Sequence, residues 1–330
     1  KMKTRWRIFF GIITLAIIIY ILSKIDFTEI YLILGSLIPK FFLLAIATQA
    51  FGILIFSLRG MVYTYDLFEP EFWFFLKTTL AGFFVNVVTP GAQVGGEPIK
   101  AYFFGKKYGK SKTKIFGAIL ADRIIHGAAS LFFIIASLLF LLTYFPVSRE
   151  LKIIFQTTLF FIMLFLALLL FLKLKKTKFN LGNFLRKIGL LKAIKNKKWI
   201  YHIGEGFGNF TKIFKKKLFD KRTLSIGILF SLGYWILNYL SSYFLFLSLQ
   251  IQISFFLVIV VVSLGSLVGD LSPTPGGIGF VEGFMIFLYS AVGINISAAI
   301  IVSLLSRIIG YFFSLVLGGI SLVLLEKELG

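Results

Sequence analysis

Thr-Pro-Gly at 89–91 is followed by five residues and then Glu97, and Thr-Pro-Gly at 274–276 is followed by five residues and then Glu282. Proline and glycine interrupt helices, and both copies stand in otherwise apolar sequence. Because hydrocarbon cannot satisfy free backbone N–H and C=O groups, such a break is tolerated at membrane depth only inside protein or beside a wet cavity. A duplicated break of this kind predicts a transporter-like site.

An arginine follows each break inside a long apolar run. Arg123 follows Glu97, and Arg307 follows Glu282, at intervals that differ by a single position. Charged side chains are costly inside a membrane and usually have a function there. The matched spacing predicts that each glutamate pairs with its arginine. Two interpretations of these pairs stay open. They are either ion pairs that hold the hairpins against the spans or groups that bind a ligand.

Composition assigns the chain to the polytopic membrane proteins. It is 58% hydrophobic with a mean hydropathy of +0.93 and contains 41 phenylalanines. The absence of cysteine excludes disulfides and thiol chemistry. Two histidines, His126 and His202, are too few and too distant for a metal cluster, so we expect neither a metal nor another cofactor. The net charge of +21 is clustered and has a membrane explanation, so we expect no nucleic-acid partner.

The lengths of the apolar runs predict an all-α integral membrane protein of about six spanning helices and two re-entrant helical hairpins, because about 20 residues cross the hydrocarbon. The first membrane half covers 1–172 with a hairpin at 72–107, and the second covers 223–330 with a hairpin at 255–293. We expect the first run to be an uncleaved anchor. The six predicted spans are 6–25, 38–58, 115–143, 152–172, 223–248 and 297–325.

Clusters of positive charge orient these spans, because loops rich in Lys and Arg stay in the cytoplasm. The N-terminus and residues 100–114 and 173–222 are basic, which predicts a multi-pass protein of the cell membrane with both termini in the cytoplasm. Loop 59–71, counted with Arg59, is also placed inside. The hairpin at 72–107 then enters from the cytoplasm and the one at 255–293 from outside, so the two halves are predicted to be inverted repeats.

The candidate substrate site combines the two breaks with nearby charges. Glycines permit unusual backbone angles, free N–H groups at helix N-termini attract anions, and guanidinium groups bind phosphate in a two-pronged way. The carboxylates would balance a cationic part of the same substrate. The candidate residues are Thr89, Pro90, Gly91, Gln93, Gly95, Gly96, Glu97, Lys100, Asp122, Arg123, Asp270, Thr274, Pro275, Gly276, Gly277, Gly279, Glu282 and Arg307.

Four polar residues admit two interpretations each. Asp122 either neutralises its neighbour Arg123 or binds a ligand. Lys100 either reaches a phosphate or extends to the membrane interface. Asp270 either caps the following turn or lines the cavity, and His126 is either a packed polar residue or a proton carrier.

The segment 173–222 is predicted to be a basic, amphipathic cytoplasmic linker. Phe207, Phe210, Phe214 and Leu218 mark one apolar face among many lysines. This pattern is typical of helices that lie on the inner leaflet and bind anionic lipid, and equally of a solvated linker between the halves.

The paired motifs resemble the lysylphosphatidylglycerol synthase transmembrane-region family, the flippase-like domain of multiple peptide resistance factors. The likeness rests on residues 88–97, on Asp122-Arg123, and on residues 272–279 with Glu282. It implies a flippase-like fold with two re-entrant elements and covers nearly the whole chain. Aminoacylating members carry a separate soluble synthase domain. The present sequence ends straight after its last span, so we expect transport without synthesis.

These observations predict a protein, not an enzyme, that moves a phosphate-bearing lipid between leaflets. The lipid is a phospholipid, an aminoacylated phospholipid or a polyprenyl-phosphate-linked compound, and a separate lipid-modifying enzyme is an expected partner. Two alternatives stay open. One is a secondary transporter of a small polar solute, and the other is a membrane-embedded lipid-modifying enzyme with Glu97 or His126 as its base.

Overall fold

The computed structural model describes residues 27–89, 95–144, 149–174 and 197–330, and every regular element in this part of the chain is helical. The helices are α1 (Phe27–Gly35), α2 (Pro39–Thr64), α3 (Phe72–Val88), α4 (Gly96–Tyr108), α5 (Lys112–Tyr144), α6 (Arg149–Leu174), α7 (Lys197–Phe219), α8 (Lys221–Ser248), α9 (Phe255–Leu271), α10 (Phe280–Ala291), α11 (Ile296–Tyr311) and α12 (Gly318–Leu329). A 3₁₀ turn at Pro275–Gly277 follows α9, and a π-helical segment at Phe312–Leu317 joins α11 to α12.

Four of the described helices are long and apolar enough to cross a membrane. They are α2, α5, α8 and the continuous helix Ile296–Leu329, and they coincide with the predicted spans 38–58, 115–143, 223–248 and 297–325. The predicted span 6–25 lies outside the described residues. The predicted span 152–172 falls within α6, and its crossing of the membrane stays a prediction.

Both predicted breaks separate a pair of short helices. α3 ends at Val88 and α4 begins at Gly96, while α9 ends at Leu271 and α10 begins at Phe280. The second break turns through three left-handed glycines, Gly276, Gly277 and Gly279, with φ of 60°, 71° and 84°. Glycine has no Cβ and adopts these angles freely, as the sequence predicted. Entry of the two hairpins from opposite faces of a membrane stays a prediction.

The second half of the chain repeats the first in order and spacing. Helices α2, α3, α4 and α5 correspond to helices α8, α9, α10 and α11, and the offset between their first residues is nearly constant. Each half is therefore one long helix, one broken hairpin and a second long helix.

Counterpart helices α2 and α8 pack against each other and run in opposite directions. The Ile38 N–H donates to the Ser248 carbonyl at 2.7 Å, the Ser241 hydroxyl donates to the Ala45 carbonyl at 2.8 Å, and Asn238 donates to Gln49 at 3.2 Å. Toward the other end of the pair, Gly227 leaves room for Tyr63. Residue numbers rise along one helix as they fall along the other. This antiparallel pairing is the arrangement that inverted repeats require.

Each hairpin packs against the long helix of the other half. α3 lies along α12 and the π-helical segment, and α9 lies along α5. At the first contact Gly318 faces the backbone of α3, where a Cβ would come within 2.6 Å of the Leu80 carbonyl oxygen. Because each hairpin packs on the opposite half, the two breaks lie in one region.

Helix α7, the described part of the linker, is fixed to the membrane core. Phe214 and Leu218 pack against the cluster of Tyr63, Ala121 and Ile125, and Phe210 contacts Phe116. The expectation that this apolar face lies on the inner leaflet is therefore wrong for Phe210, Phe214 and Leu218, because α5 and α2 offer them a closer apolar surface. The side chain of Phe207 and residues 175–196 of the linker lie outside the described residues.

Two lysines of α7 also bind the loop between α2 and α3. Lys216 and Lys217 each place Nζ 3.1 Å from Asp66 Oδ2. Hydrogen bonds from the two ammonium groups lower the pKa of the Asp66 carboxyl. The linker helix is thereby tied to the first half of the protein.

Replacement of Gly318 by alanine tests the packing of α12 on α3. We expect Gly318→Ala to lower the melting temperature in detergent, because its Cβ meets backbone that cannot move aside, and overpacking costs about 1–3 kcal/mol. Gly310→Ala is the matched control on the same continuous helix, since its Cβ would meet nothing within 4 Å. Equal melting temperatures for both variants would contradict this packing.

Cysteine labelling tests the opposite entry of the two hairpins. The chain has no native cysteine, so single cysteines at the exposed positions Lys110 and Ala291, beside the ends of the two hairpins, provide clean probes. A membrane-impermeant maleimide should reach Lys110→Cys only from the cytoplasmic side and Ala291→Cys only from outside. Modification of both from the same side would refute the inverted arrangement.

Candidate functional site

Each predicted glutamate–arginine pair forms within its own half. Glu97 of α4 accepts a short hydrogen bond from Arg123 Nη1 of α5, and Glu282 Oε1 of α10 lies 2.5 Å from Arg307 Nε of α11. Both glutamates are buried, and the two arginines occupy the same position counted from the first residue of their helices. The predicted pairing is confirmed.

The second break holds its arginine from two sides. Arg307 Nη2 donates to the Gly276 carbonyl at 2.6 Å while Nε binds Glu282. The other carboxylate oxygen of Glu282 accepts from the Gly279 N–H at 2.7 Å. Glu282 thus has a donor on each oxygen. Thr274 Oγ1 donates to the Ile278 carbonyl at 3.0 Å and closes the loop.

The first break is closed differently. The Gly96 N–H donates to Asn86 Oδ1 at 2.7 Å, and a Cβ on Gly96 would stand 2.3 Å from the Gly82 carbonyl oxygen. Gly95 is in the right-handed region, and Thr89 Oγ1 donates back to the Val85 carbonyl at 2.6 Å. Glycine is therefore needed at position 96 for close approach of two helices. The predicted residues Pro90, Gly91 and Gln93 lie outside the described residues.

The helix N-termini are less available to an anion than the sequence predicted. The N–H groups of Gly96 and Gly279 already donate to Asn86 and Glu282. Polar side chains near an N-terminus satisfy the same donors that would otherwise bind a ligand. The expectation of free donors at these two glycines is therefore wrong.

A cavity of about 420 Å³ lies between the two halves. Gly276 of the second break lies against Val87 at the end of α3, so the two broken elements touch beside it. Seven of the candidate residues line the cavity, and they are Glu97, Lys100, Asp122, Arg123, Asp270, Gly276 and Arg307. The other described candidates do not line the cavity. They are Thr89, Gly95, Gly96, Thr274, Pro275, Gly277, Gly279 and Glu282.

Lys100 is a buried cation at the cavity wall. Its stem lies in the space that Gly82 leaves open, and its Nζ stands 5.0 Å from the Phe56 ring centre and 5.5 Å from that of Phe83. Within the described chain no carboxylate forms an ion pair with it. The expectation that Lys100 reaches the membrane interface is wrong, because the side chain is only 6% exposed.

Asp122 pairs with Arg59 rather than with its neighbour Arg123. Arg59 Nε lies 2.5 Å from Asp122 Oδ1, and Nη2 lies 3.2 Å from Oδ2. Successive helix residues point in different directions, so Asp122 and Arg123 face different partners. The interpretation of Asp122 as the neutralising partner of Arg123 is therefore wrong.

Arg59 itself is the charged residue that the sequence pattern misplaced. It was assigned to a cytoplasmic loop, yet α2 continues to Thr64 and Arg59 is fully buried. Its Nη1 also reaches Ser231 Oγ of α8 at 3.2 Å. The sequence does indicate that the helix continues beyond Arg59, because the apolar run extends past Gly60 through residues 61–65.

His126 is a packed polar residue. Arg59 Nη1 lies 2.8 Å from His126 Nδ1, and because arginine only donates, Nδ1 is the acceptor. The ring stacks on Trp235 at 5.4 Å and 8° and meets Phe56 and Tyr234 edge-on. This environment fits the packed interpretation.

In the part of the chain that the structure describes, four cavity-lining residues carry buried polar atoms without a hydrogen-bond partner. Three are donors, Trp235 Nε1, Ser306 Oγ and Tyr311 OH, and the fourth is the acceptor Glu97 Oε2. A buried polar atom without a partner loses its hydration without compensation. Sequence analysis missed Ser306 and Tyr311, although both stand close to Arg307 on the same helix.

The buried Arg59–Asp122 pair gives a stability test. We expect Asp122→Asn to lower the free energy of unfolding by about 3–5 kcal/mol, because it leaves a fully buried guanidinium without its counter-ion. Glu71→Gln is the control, since Glu71 is 63% exposed and 3.7 Å from Lys107, and exposed pairs contribute about 0–1 kcal/mol. Thermal unfolding in detergent measures both, and similar losses would contradict the burial of this pair.

Comparison with known proteins places the chain in a family. Residues 8–318 match the lysylphosphatidylglycerol synthase TM region. A UPF0104 membrane protein of Pyrococcus horikoshii is 30% identical over 300 residues, which cover 88% of each chain. A UPF0104 membrane protein of Methanocaldococcus jannaschii is 30% identical over 326 residues, covering 96% of this chain and 94% of that protein. The chain therefore belongs to the lysylphosphatidylglycerol synthase TM region family.

Proposed function

We propose that this protein is a lipid flippase-like transporter that moves a phosphate-bearing lipid between membrane leaflets. The observation that carries the proposal is the cavity between the antiparallel halves, whose wall holds buried donors without partners beside Lys100, Arg123 and Arg307. A ligand with several acceptor oxygens would satisfy those donors.

A phosphate group fits the donors of the second half. Ser306 and Tyr311 flank Arg307 on one helix, and their hydroxyls are unpaired. Charged donors make stronger hydrogen bonds to phosphate than neutral ones, and arginine does so with a fixed geometry. Lys100 adds a cation from the first half, so donors of both repeats surround the same volume.

Exposed apolar residues at the breaks favour a lipid as the carrier of that phosphate. Val88 precedes the first break and is 46% exposed, while Leu271 and Ile278 flank the second and are 76% and 41% exposed. Apolar surface beside a polar cavity in a membrane protein is suited to acyl chains. A lipid could then place its head group in the cavity while its tails stay in hydrocarbon.

The inverted halves supply a route between leaflets. In transporters built from such repeats, one half rocks against the other around a site near the midplane. The α2–α8 pair lies at the centre of the two halves, and each hairpin packs on the opposite half. A relative movement of the halves would therefore carry the cavity from one leaflet to the other.

A secondary transporter of a small polar solute is the second candidate. The observation in its favour is the cavity volume of about 420 Å³, which is within the range of small-molecule sites and holds a head group without its tails. A solute would cross liposome membranes without any change in lipid distribution, so the two candidates have different readouts.

We further propose that the exposed lysines of α7, Lys212, Lys215 and Lys216, contact anionic lipid of the cytoplasmic leaflet. Positive side chains near such a surface are attracted by its negative potential. We also propose that a separate lipid-modifying enzyme supplies the transported lipid.

Leaflet exchange in liposomes tests the proposed function. Purified protein should move a phospholipid with an acyl-chain fluorophore between leaflets, and the lipid should be recovered chemically unchanged. The double variant Ser306→Ala/Tyr311→Phe should slow this exchange by about tenfold, because two hydrogen bonds to phosphate are lost. Folding should be unaffected, since neither hydroxyl has a partner among the described residues.

Ser303→Ala is the matched control. Ser303 is on the same helix, is buried and also has an unpaired hydroxyl, but it does not line the cavity, so its replacement should leave exchange unchanged. Equal rates for the double variant and wild type would overturn the assignment of these donors. Absence of exchange by the wild type would overturn the flippase, and a chemically altered lipid would establish an enzyme.

A further inference from the structure

Charges at the cavity fall into pairs with two exceptions. Glu97 is paired with Arg123, Asp122 with Arg59, and Glu282 with Arg307. Lys100 and Asp270 also line the cavity, and within the described residues no ion pair includes either of them. The formal charge around the cavity therefore sums to zero, with one separate charge of each sign.

Lys100 lacks a counter-ion of its own. Glu97 and Asp122 are within electrostatic range of it, but each already neutralises an arginine. Two phenylalanine rings approach its ammonium group, and aromatic faces attract a cation only weakly. A buried ammonium group is stable when it is paired, so an anion of the ligand is its fitting partner.

Asp270 is placed where a carboxylate is unfavourable without a cation. It lies in the last turn of α9, at the negative end of the helix dipole. Its side chain is exposed at the cavity, and no hydrogen bond within the described chain uses it as a cap. The interpretation of Asp270 as a cap of the following turn is therefore wrong, and a cation of the ligand would offset the dipole.

Glu97 is held less completely than its counterpart Glu282. Among the described residues no group donates to Glu97 Oε2, whereas the matching oxygen of Glu282 accepts from the Gly279 N–H. Arg123, the partner of Glu97, is within electrostatic range of Asp270. Arg123 is therefore the cation that acts on both carboxylates.

At the position of Lys100, the second half has an apolar residue in place of the cation. Lys100 stands one turn after Glu97 and packs on Gly82, and Met285 stands one turn after Glu282 and packs on Gly265. The same local packing therefore holds a cation in the first half and an apolar side chain in the second. Lys100→Met makes the two halves alike at this position.

From this arrangement we infer that the site selects a zwitterionic head group, one with a phosphate and a protonated amine and no net charge. Lys100 faces the phosphate, and Asp270 accepts the amine. A head group with phosphate alone would leave Asp270 unpaired and add a net negative charge to a neutral cavity of low dielectric, which is costly. This inference rests on the proposed transport of a phosphate-bearing lipid.

The test compares two lipids that differ only in the head group. Phosphatidylethanolamine carries an amine and phosphatidylglycerol does not, and both bear the same acyl-chain fluorophore in liposomes with the purified full chain. We expect wild type to exchange phosphatidylethanolamine about tenfold faster, because one charge-assisted hydrogen bond is at stake. Asp270→Asn should remove that preference, because the amine loses its counter-ion while phosphatidylglycerol has no amine to lose.

Two further variants complete the comparison. Lys100→Met should slow exchange of both lipids, since both carry the phosphate, and Ser303→Ala should change neither. Because Lys100 and Asp270 have no ion-pair partner in the described chain, both variants should keep the wild-type melting temperature. Added glycerophosphoethanolamine should raise that temperature for wild type and not for Asp270→Asn, which reports binding independently of transport.

The outcomes distinguish failure of transport from failure of selectivity. If wild type exchanges neither lipid, the proposed function fails. If wild type exchanges both lipids equally and Asp270→Asn alters neither rate, transport stands and the zwitterionic selectivity is refuted. If glycerophosphoethanolamine stabilises Asp270→Asn as strongly as wild type, Asp270 does not hold the amine.

Discussion

The need to neutralise charge within a largely apolar protein governs this structure. Glu97 and Glu282 are buried in the first turn of the helices that follow the two breaks, and each is held by an arginine from the next long helix. Removal of either partner would leave a charge in a medium that does not solvate it. The breaks, the hairpins and the long helices α5 and α11 are therefore fixed relative to one another by the same two contacts.

The two pairs also set the shape of the region around them. Glu97 holds α4 on α5 and Glu282 holds α10 on α11, so the second leg of each hairpin is fixed to the long helix that follows it. The halves then meet through α2 and α8, and each hairpin packs on the opposite long helix. A cavity arises where the two breaks come together, and its wall takes charges from both halves.

The halves are alike in backbone and unlike in side chains. Arg59, Asp122 and His126 form a polar cluster in the first half. The second half instead lines the cavity with residues that include Ser306, Gly310 and Met285. Symmetry of the backbone is suited to the proposed alternating exposure of one site, whereas asymmetry of the side chains would give that site a fixed orientation for an asymmetric ligand. A head group with separated charges is such a ligand.

The sequence alone determined the helical class, four of the spans, the positions of both breaks and the two glutamate–arginine pairs. These features depend on local composition and on matched spacing, and the members of each pair lie on adjacent helices of one half. Tertiary structure decided the partners that are distant in sequence. Arg59 of α2 meets Asp122 of α5, Gly318 packs on α3, and Lys100 and Asp270 reach one cavity without meeting each other. Such contacts depend on how the two halves dock, and that docking is set by the combined packing of many apolar side chains, for which the spacing of residues along the chain carries no signal.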